Sequence, residues 1–379
     1  MNYLAFLNNY DNRPCTAQLL WWYYYLLDHV PNVHFIVNSD FLNVDPNRWE
    51  YSQYQKAPYK YRNPAELHTD NVKVMPKVED LPEFTFDKIP TLILRKAMLE
   101  PIPSIMEIVE NEIKKHDITA VLLWCNNASV EEVCRRHGIP AIHNESGALR
   151  TPRFHNTCYF DFSGVNGNTE FQKRFEEFEK VSNSVTIFPR EELLRIITQK
   201  NMQNYILSLY RTEPTYECGV ALQVDVDTNL MTFNRDVTAM DLINMAAREY
   251  GGSLLIRNHP LSSIGYIGPV SLGSGIIDTS ANSIEFLSKC KRVHTINSSV
   301  GFEAMMFGRE VQIWGDNPFR CMQFMDEYTQ LLALNFAVFS YLIPVKRLYD
   351  EAYYSFRINC KDEKTLYEEG QKYWLENLT

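Results

Sequence analysis

Short apolar runs alternate with longer amphipathic stretches along the whole chain, and this alternation predicts a parallel α/β architecture. Residues 3–8 form an apolar run closed by the polar loop Asn8-Asn9-Tyr10-Asp11-Asn12-Arg13-Pro14, and read as a first strand. An apolar helix is predicted over about 16–29 and a second strand over 34–38. Residues 43–88 are rich in Pro, Tyr, Asn and charge without a period, and read as irregular. Ile105, Ile108, Val109, Glu112 and Ile113 recur at helical spacing, which predicts a helix over 105–116. A strand over 120–124, a helix over 129–137 stopped by Gly138, and a strand over 139–143 follow. Strand, helix, glycine, strand is a βαβ unit, so the sheet is expected to be parallel.

After a charged helix at 168–181 the pattern restarts. A helix is predicted over 191–209 and a polar linker over 210–218. Strands are predicted over 219–224, 254–257, 292–296 and 310–314, with helices over 239–250, 284–290 and 298–307. Gly251-Gly252 and Gly308 close two of these helices. The tail, 348–378, reads as helical and acidic. Two Rossmann-like domains are therefore expected, over 1–190 and 191–345, with an active site in the cleft between them and the helices of 346–379 packing back across the first.

A chain of 379 residues suits two domains, and 45% apolar with 22% charged residues is an ordinary globular balance. The formal charge of −10 argues against a general nucleic-acid binder, which needs a basic surface. The eight cysteines include no CxxC pair, so they read as reduced thiols of a cytoplasmic protein rather than a zinc site. No basic n-region precedes the first apolar run, so no signal peptide is expected. The longest apolar run, LLWWYYYLL over 19–27, is far short of the roughly 20 residues that span a bilayer.

Open parallel sheets bind ligands at the carboxyl ends of their strands. The residues just beyond the predicted strands are Asn8, Asp11 and Arg13; Asn144, Glu145 and Ser146; Asp225 and Asp227; Asn258 and His259; Asn297, Ser298 and Ser299; and Asp316. Ser298 and Ser299 open a helix, where free N–H groups and the helix dipole favour phosphate. Glu303, one turn in, could accept from a ribose hydroxyl. The plainer alternative is N-capping by either serine. RNHP over 257–260 ends a strand with a cation, an amide and an imidazole, a set able to serve a phosphate, or simply to cap a turn. Asp225 and Asp227 sit at i, i+2 and project to one side if extended. They could bind a metal, supply a nucleophile or cap the next turn. Glu145 is a candidate general base, with a cap or a surface acid as alternatives.

Taken together, NESG, LQVDVDTN, RNHP, TINSSVGFEAMMFGREV and WGDNPF resemble the capsule polysaccharide biosynthesis proteins. These are Kdo transferases of GT-B-like fold. The likeness runs over about 143–319 and includes the retaining β-Kdo transferase module that caps O-antigen chains of lipopolysaccharide. It implies an N-terminal acceptor domain and a C-terminal nucleotide-sugar domain. It also implies CMP-Kdo as donor, no metal or other cofactor, and a lipid-linked glycan acceptor. Attachment at the inner membrane and further modules of a glycan-assembly protein are compatible with it. Kdo carries a carboxylate on its anomeric carbon. On this resemblance Asp227 is the covalent nucleophile, with Asp225 as fallback, and Glu145 is the acid or base on the acceptor side. His259 serves the CMP phosphate, Ser298 and Ser299 hold it, and Arg257 pairs with the phosphate or the sugar carboxylate. Competing readings are a GT-B enzyme for another activated sugar, a sugar-nucleotide epimerase, and a lectin-like module without chemistry.

Overall fold

The computed structural model describes residues 1–7, 22–23, 25–38, 71–85, 89–224, 227–260 and 275–378. The chain divides into two compact units. The first comprises Met1–Glu145, Tyr159–Val165 and Val345–Asn359; the second comprises Ser146–Cys158, Asn166–Pro344 and Cys360–Thr379.

The first unit is built on strands β1 (Tyr3–Leu7), β2 (Val33–Asn38), β3 (Val72–Met75), β4 (Ala120–Trp124), β5 (Ala141–Ser146) and β6 (Thr157–Asp161), in the order β6-β5-β4-β1-β2-β3. The pairings β1–β2, β1–β4, β2–β3 and β4–β5 are all parallel. Every residue of β1 is buried, as expected of a strand covered on both faces. The helix Pro103–Lys115 buries Ile105, Val109, Glu112 and Ile113, which is the stripe legible in the sequence. Glu112 is tolerated on that face because its carboxylate meets His116 Nε2 at 3.3 Å. The helix Ala128–His137 is capped by the Asn127 side chain and stopped by Gly138, whose φ of 66° is left-handed.

The second unit carries β7 (Tyr216–Ala221), β8 (Leu254–Arg257), β9 (Ile276–Ile277), β10 (Cys290–Thr295) and β11 (Glu310–Ile313), in the order β11-β10-β7-β8-β9. Its described pairings are parallel throughout. The helix Ala239–Tyr250 starts at a Thr238–Asp241 capping box and buries Ala239, Leu242, Ile243 and Ala246. Those side chains join Cys218, Val220, Leu254 and Ile256 in one core. Strand–helix alternation around two parallel sheets gives the two Rossmann-like units of a GT-B-class α/β fold.

Several boundaries differ from the sequence expectation. The stretch 43–88 is not wholly irregular, since β3 lies within it and pairs β2. β5 continues through Ser146, so Asn144, Glu145 and Ser146 lie in the strand end rather than after it. β7 stops at Ala221, so Asp227 follows it by a connecting segment instead of ending the strand. The predicted helix over 191–209 is broken into Arg190–Ile197, a 3-10 turn Lys200–Met202, and Gln203–Tyr210. The break has a tertiary cause. Thr198 bridges Phe154, and the backbone bonds His155 N–H to Ile197 O (2.9 Å) and Gln199 N–H to Arg153 O (2.9 Å) draw the chain out of helix. The helix Phe171–Val181 belongs with the second unit, and of the C-terminal helices Glu351–Asn359 falls in the first unit and Glu363–Asn377 in the second. Asn8, Asp11, Arg13, Asp225, Val226 and half of the 16–29 stretch lie outside the described residues.

Candidate functional site

Register places the candidate residues of the second unit side by side. Ala221 of β7 pairs Arg257 of β8 on one side and Thr295 of β10 on the other. The three strands therefore end abreast, and whatever follows each lies along one carboxyl edge. Asp227 follows β7, His259 follows β8, and Asn297, Ser298 and Ser299 follow β10.

Asp227 is exposed and forms the N-cap of the helix Thr228–Phe233, its Oδ1 accepting from Asn229 N–H at 2.8 Å. A capping carboxylate keeps its second oxygen for other work. His259 is partly buried. Burial holds its imidazole below the usual range; the Asp227 charge works against that, and the Arg150 and Arg257 charges work with it. These four groups therefore share one electrostatic environment.

Arg257 is already engaged. Its Nη1 donates to Asp278 Oδ2 at 2.6 Å and to Ser280 O at 3.0 Å, and the Asp278 side chain is fully buried. Asp278 is itself held in place, its Oδ1 accepting from Ser280 N–H and Oγ–H. Asn297 is engaged too. It exchanges two hydrogen bonds with the Gln223 side chain, donates to Asn229 O at 3.1 Å, and accepts at its carbonyl from Asn317. It ties the loops after β7, β10 and β11 together. The Ser298 hydroxyl accepts from Val300 N–H at 3.2 Å. Ser299 is the N-cap of the short helix Val300–Met306 and makes no side-chain cap bond. Gly301 packs so closely that a Cβ would lie 3.1 Å from Ile313 Cδ1.

Glu303 is not an open ribose acceptor. Its side chain is buried and its Oε2 accepts from Ser283 Oγ–H at 2.8 Å. Burial pushes its carboxyl up, against the opposing pull of Arg153 foremost and then of Ser283, Arg150 and Arg257. Arg150, Arg153 and Asp278 were not singled out from sequence. The two arginines follow the NESG segment in ALRTPR, three residues apart, and that spacing was the available signal.

Glu145 lies in the first unit, at the carboxyl end of β5. Its Oε2 accepts from the Cys125 thiol at 2.9 Å. Cys125 follows β4 with a φ of 72°, a conformation non-glycine residues rarely hold, and its N–H donates to Asn144 O at 2.9 Å. Beside it, His143 is buried, its Nε2 3.1 Å from Glu131 Oε1. Among the described residues no group of three or more His, Cys, Asp or Glu side chains is arranged to hold a metal ion. No described helix is long and apolar enough to cross a membrane.

Two family models match the chain. Residues 5–170 match the glycosyltransferase 99 family N-terminal domain, and residues 219–324 match the capsule polysaccharide biosynthesis protein. No curated protein matches in sequence. Among solved structures, the β-Kdo 2,7 transferase of KpsC from Thermosulfurimonas dismutans is 16% identical at a TM-score of 0.41, over 65% of this chain and 88% of that one. The β-Kdo 2,4 transferase of the same protein is 17% identical at 0.39, over 57% and 79%. The UDP-GlcNAc 2-epimerase of Neisseria meningitidis is 10% identical at 0.28, over 97% and 94%. The N-terminal part of the chain thus resembles a glycosyltransferase domain and the C-terminal part a capsule polysaccharide biosynthesis protein.

Proposed function

We propose that this glycosyltransferase is a retaining β-Kdo transferase, moving Kdo from CMP-Kdo to a lipid-linked glycan in capsule or O-antigen assembly. The observation that carries the reading is the common carboxyl edge of β7, β8 and β10, where a carboxylate, an imidazole and two serine hydroxyls follow adjacent strand ends. A transferase for an acidic sugar nucleotide needs a nucleophile, a group to serve the leaving phosphate, and cations for two anionic centres. Asp227, His259, Ser298 and Ser299, and the neighbouring arginines, are those groups.

In this mechanism the Asp227 carboxylate attacks the anomeric carbon and CMP departs with the bonding electrons. The His259 imidazole, which burial keeps neutral near pH 7, donates an N–H bond to the departing phosphate. The acceptor hydroxyl then attacks the same carbon, releases Asp227, and yields its proton to Glu145 or to solvent. Two inversions give retention. Among the groups assigned from sequence, Arg257 and Asn297 act by holding the edge together, Arg257 through the bonds of its Nη1 to Asp278 and Ser280 and Asn297 through its exchange with Gln223.

Nucleotide release decides the donor. With CMP-Kdo and a glycan acceptor, CMP is expected as product, and UDP or GDP from their sugar nucleotides is not. Asp227→Asn should keep the fold, since asparagine caps a helix as well as aspartate, and should lower turnover by orders of magnitude. Intact-mass measurement of the wild type during turnover should find one added Kdo. Normal turnover by Asp227→Asn, with no adduct on the wild type, overturns the covalent route.

A further inference from the structure

Arg150, Arg153 and Arg257, near the carboxyl edge of the second unit, are not equivalent as anion partners. Arg257, the one the motif points to, is already charge-paired with the buried Asp278, and the same Nη1 donates to Ser280 O. Arg150 donates from Nε to Gly147 O at 2.9 Å and from Nη2 to Ser146 O at 3.3 Å, so its charge is oriented by backbone, and no carboxylate among the described residues lies within ion-pair distance. Arg153 is least committed. Among the described residues its one side-chain bond is a long 3.4 Å contact from Nη2 to Ser283 Oγ, and its Nε is buried with no partner among them. A guanidinium has five N–H donors, and leaving a buried one unmade is costly.

The position of Arg153 is nonetheless fixed. Its carbonyl accepts from Gln199 N–H, and the adjacent Phe154 bridges Thr198, so the backbone under the side chain cannot drift. Ser283, which it touches, donates to Glu303 on the helix that Ser298 and Ser299 precede. Arg150 and Arg257 both act on His259 and on Glu303 through their charges, and Arg153 acts on Glu303. The segment 146–158 thus delivers two cations to the edge where β8 and β10 end, although Arg153 lies 63 positions before the first strand of that sheet, which starts at Tyr216.

We propose that Arg153, supported by Arg150, is the anion-pairing residue of the donor site, and that it binds an oxyanion of the sugar nucleotide. The inference rests on the transferase reading above. A fork of free N–H groups matches a carboxylate or a phosphate in bidentate fashion. The donor offers both oxyanions: the nucleotide phosphate and the carboxylate on the sugar's anomeric carbon.

The test uses the full chain and compares Arg153→Gln, Arg153→Lys and wild type. Calorimetry with CMP reads the phosphate alone; donor KM with CMP-Kdo reads phosphate and carboxylate together. Loss of a bidentate charge-assisted pair is expected to weaken binding about tenfold or more. If CMP affinity falls by that factor, Arg153 holds the phosphate. If CMP affinity is unchanged and donor KM rises, it holds the sugar carboxylate. Lysine should recover only part of the loss, because it keeps the charge and lacks the fork. Guanidinium ion added to Arg153→Ala should restore part of the donor binding, which a purely structural role would not allow. CMP affinity and donor KM both within twofold of wild type, in a folded Arg153→Gln protein, overturn the assignment. If instead wild type itself neither binds CMP nor consumes CMP-Kdo, it is the donor reading that has failed.

Discussion

Glu303 and His259 are moved by burial in opposite directions in charge, and each makes stability depend on pH. The carboxyl of Glu303 is raised, so the folded chain binds its proton more tightly than the unfolded chain does. Its contribution is fully present below the ordinary carboxyl value of 4.5 and is lost as pH rises through the folded value. Glu303→Gln removes that titration and keeps the Ser283 hydroxyl's acceptor. The variant is expected to gain stability relative to wild type between pH 6 and 8, a gain that shrinks toward pH 4; chemical denaturation across that range measures it. A constant difference at all pH values would mean that Glu303 does not titrate differently on folding. The imidazole of His259 is lowered from 6.5, so its contribution is present above 6.5 and is lost as pH falls through the folded value. The two groups therefore favour opposite ends of the pH scale.

Between elements, glycines mark where backbones approach. Gly370 lies in the helix Glu363–Asn377, against the π-helical turn Ala337–Tyr341, and a Cβ there would overlap the Phe339 carbonyl. Backbone cannot rotate away as a side chain can. Gly370→Ala should therefore destabilise by roughly 2–3 kcal/mol, the upper part of the overpacking range. Gly138 meets nothing within 4 Å but holds a φ of 66°. Gly138→Ala should cost only about 1 kcal/mol, the penalty of a left-handed alanine. Urea midpoints compare the two directly. Equal losses would mean that the helix–turn contact at Gly370 relaxes freely. The C-cap of Gly138 was legible in sequence because it is a local device; the tight approach at Gly370 was not, because its partner lies 31 residues away in the chain.

Across the second unit, one buried ion pair spans the longest stretch of chain. Arg174 donates from Nε to Glu363 Oε1 at 2.7 Å and from Nη2 to Oε2 at 3.1 Å, and the same Nη2 reaches Ser340 O and Oγ. Both side chains are under 10% exposed. Around it Phe171, Phe175 and Phe178 pack on Phe336, Tyr341 and Tyr367. Arg174 Nη1 also meets Glu170 Oε1 at 3.3 Å, so Glu363→Gln leaves the guanidinium one partner and should cost less than Arg174→Met, which strands the buried Glu363 carboxylate and should cost about 3–5 kcal/mol. The double variant should recover part of the Arg174→Met loss, since Glu363 is no longer a stranded charge, although Glu170 still lacks its cation. Thermal unfolding of the four proteins makes the cycle, and strictly additive losses would contradict coupling through this pair.

The alternation of strands and helices around the βαβ unit at 120–143 and from β7 to β11, the stripe of the Pro103–Lys115 helix, the glycine stops and the carboxyl edge bearing Asp227, His259 and Ser298 were readable from the chain, whereas β3, β6 and β9 were not. Each rests on periodicity, capping or turn chemistry, which act within a few residues. The fate of the side chains on that edge was not readable. RNHP presents Arg257 as the cation for an anion, but Asp278, 21 residues further along the chain, claims it. Glu303 sits one turn into its helix as expected, yet it is buried under Ser283. The 191–209 stretch has a helical pattern throughout, and a bridge from Phe154 breaks it. Arg153 reaches the edge only because that same bridge brings the segment after β5 there. Local pattern fixes which atoms a strand end offers. Which of them remain uncommitted depends on partners distant in sequence, because burial and charge pairing are properties of what the folded chain brings together.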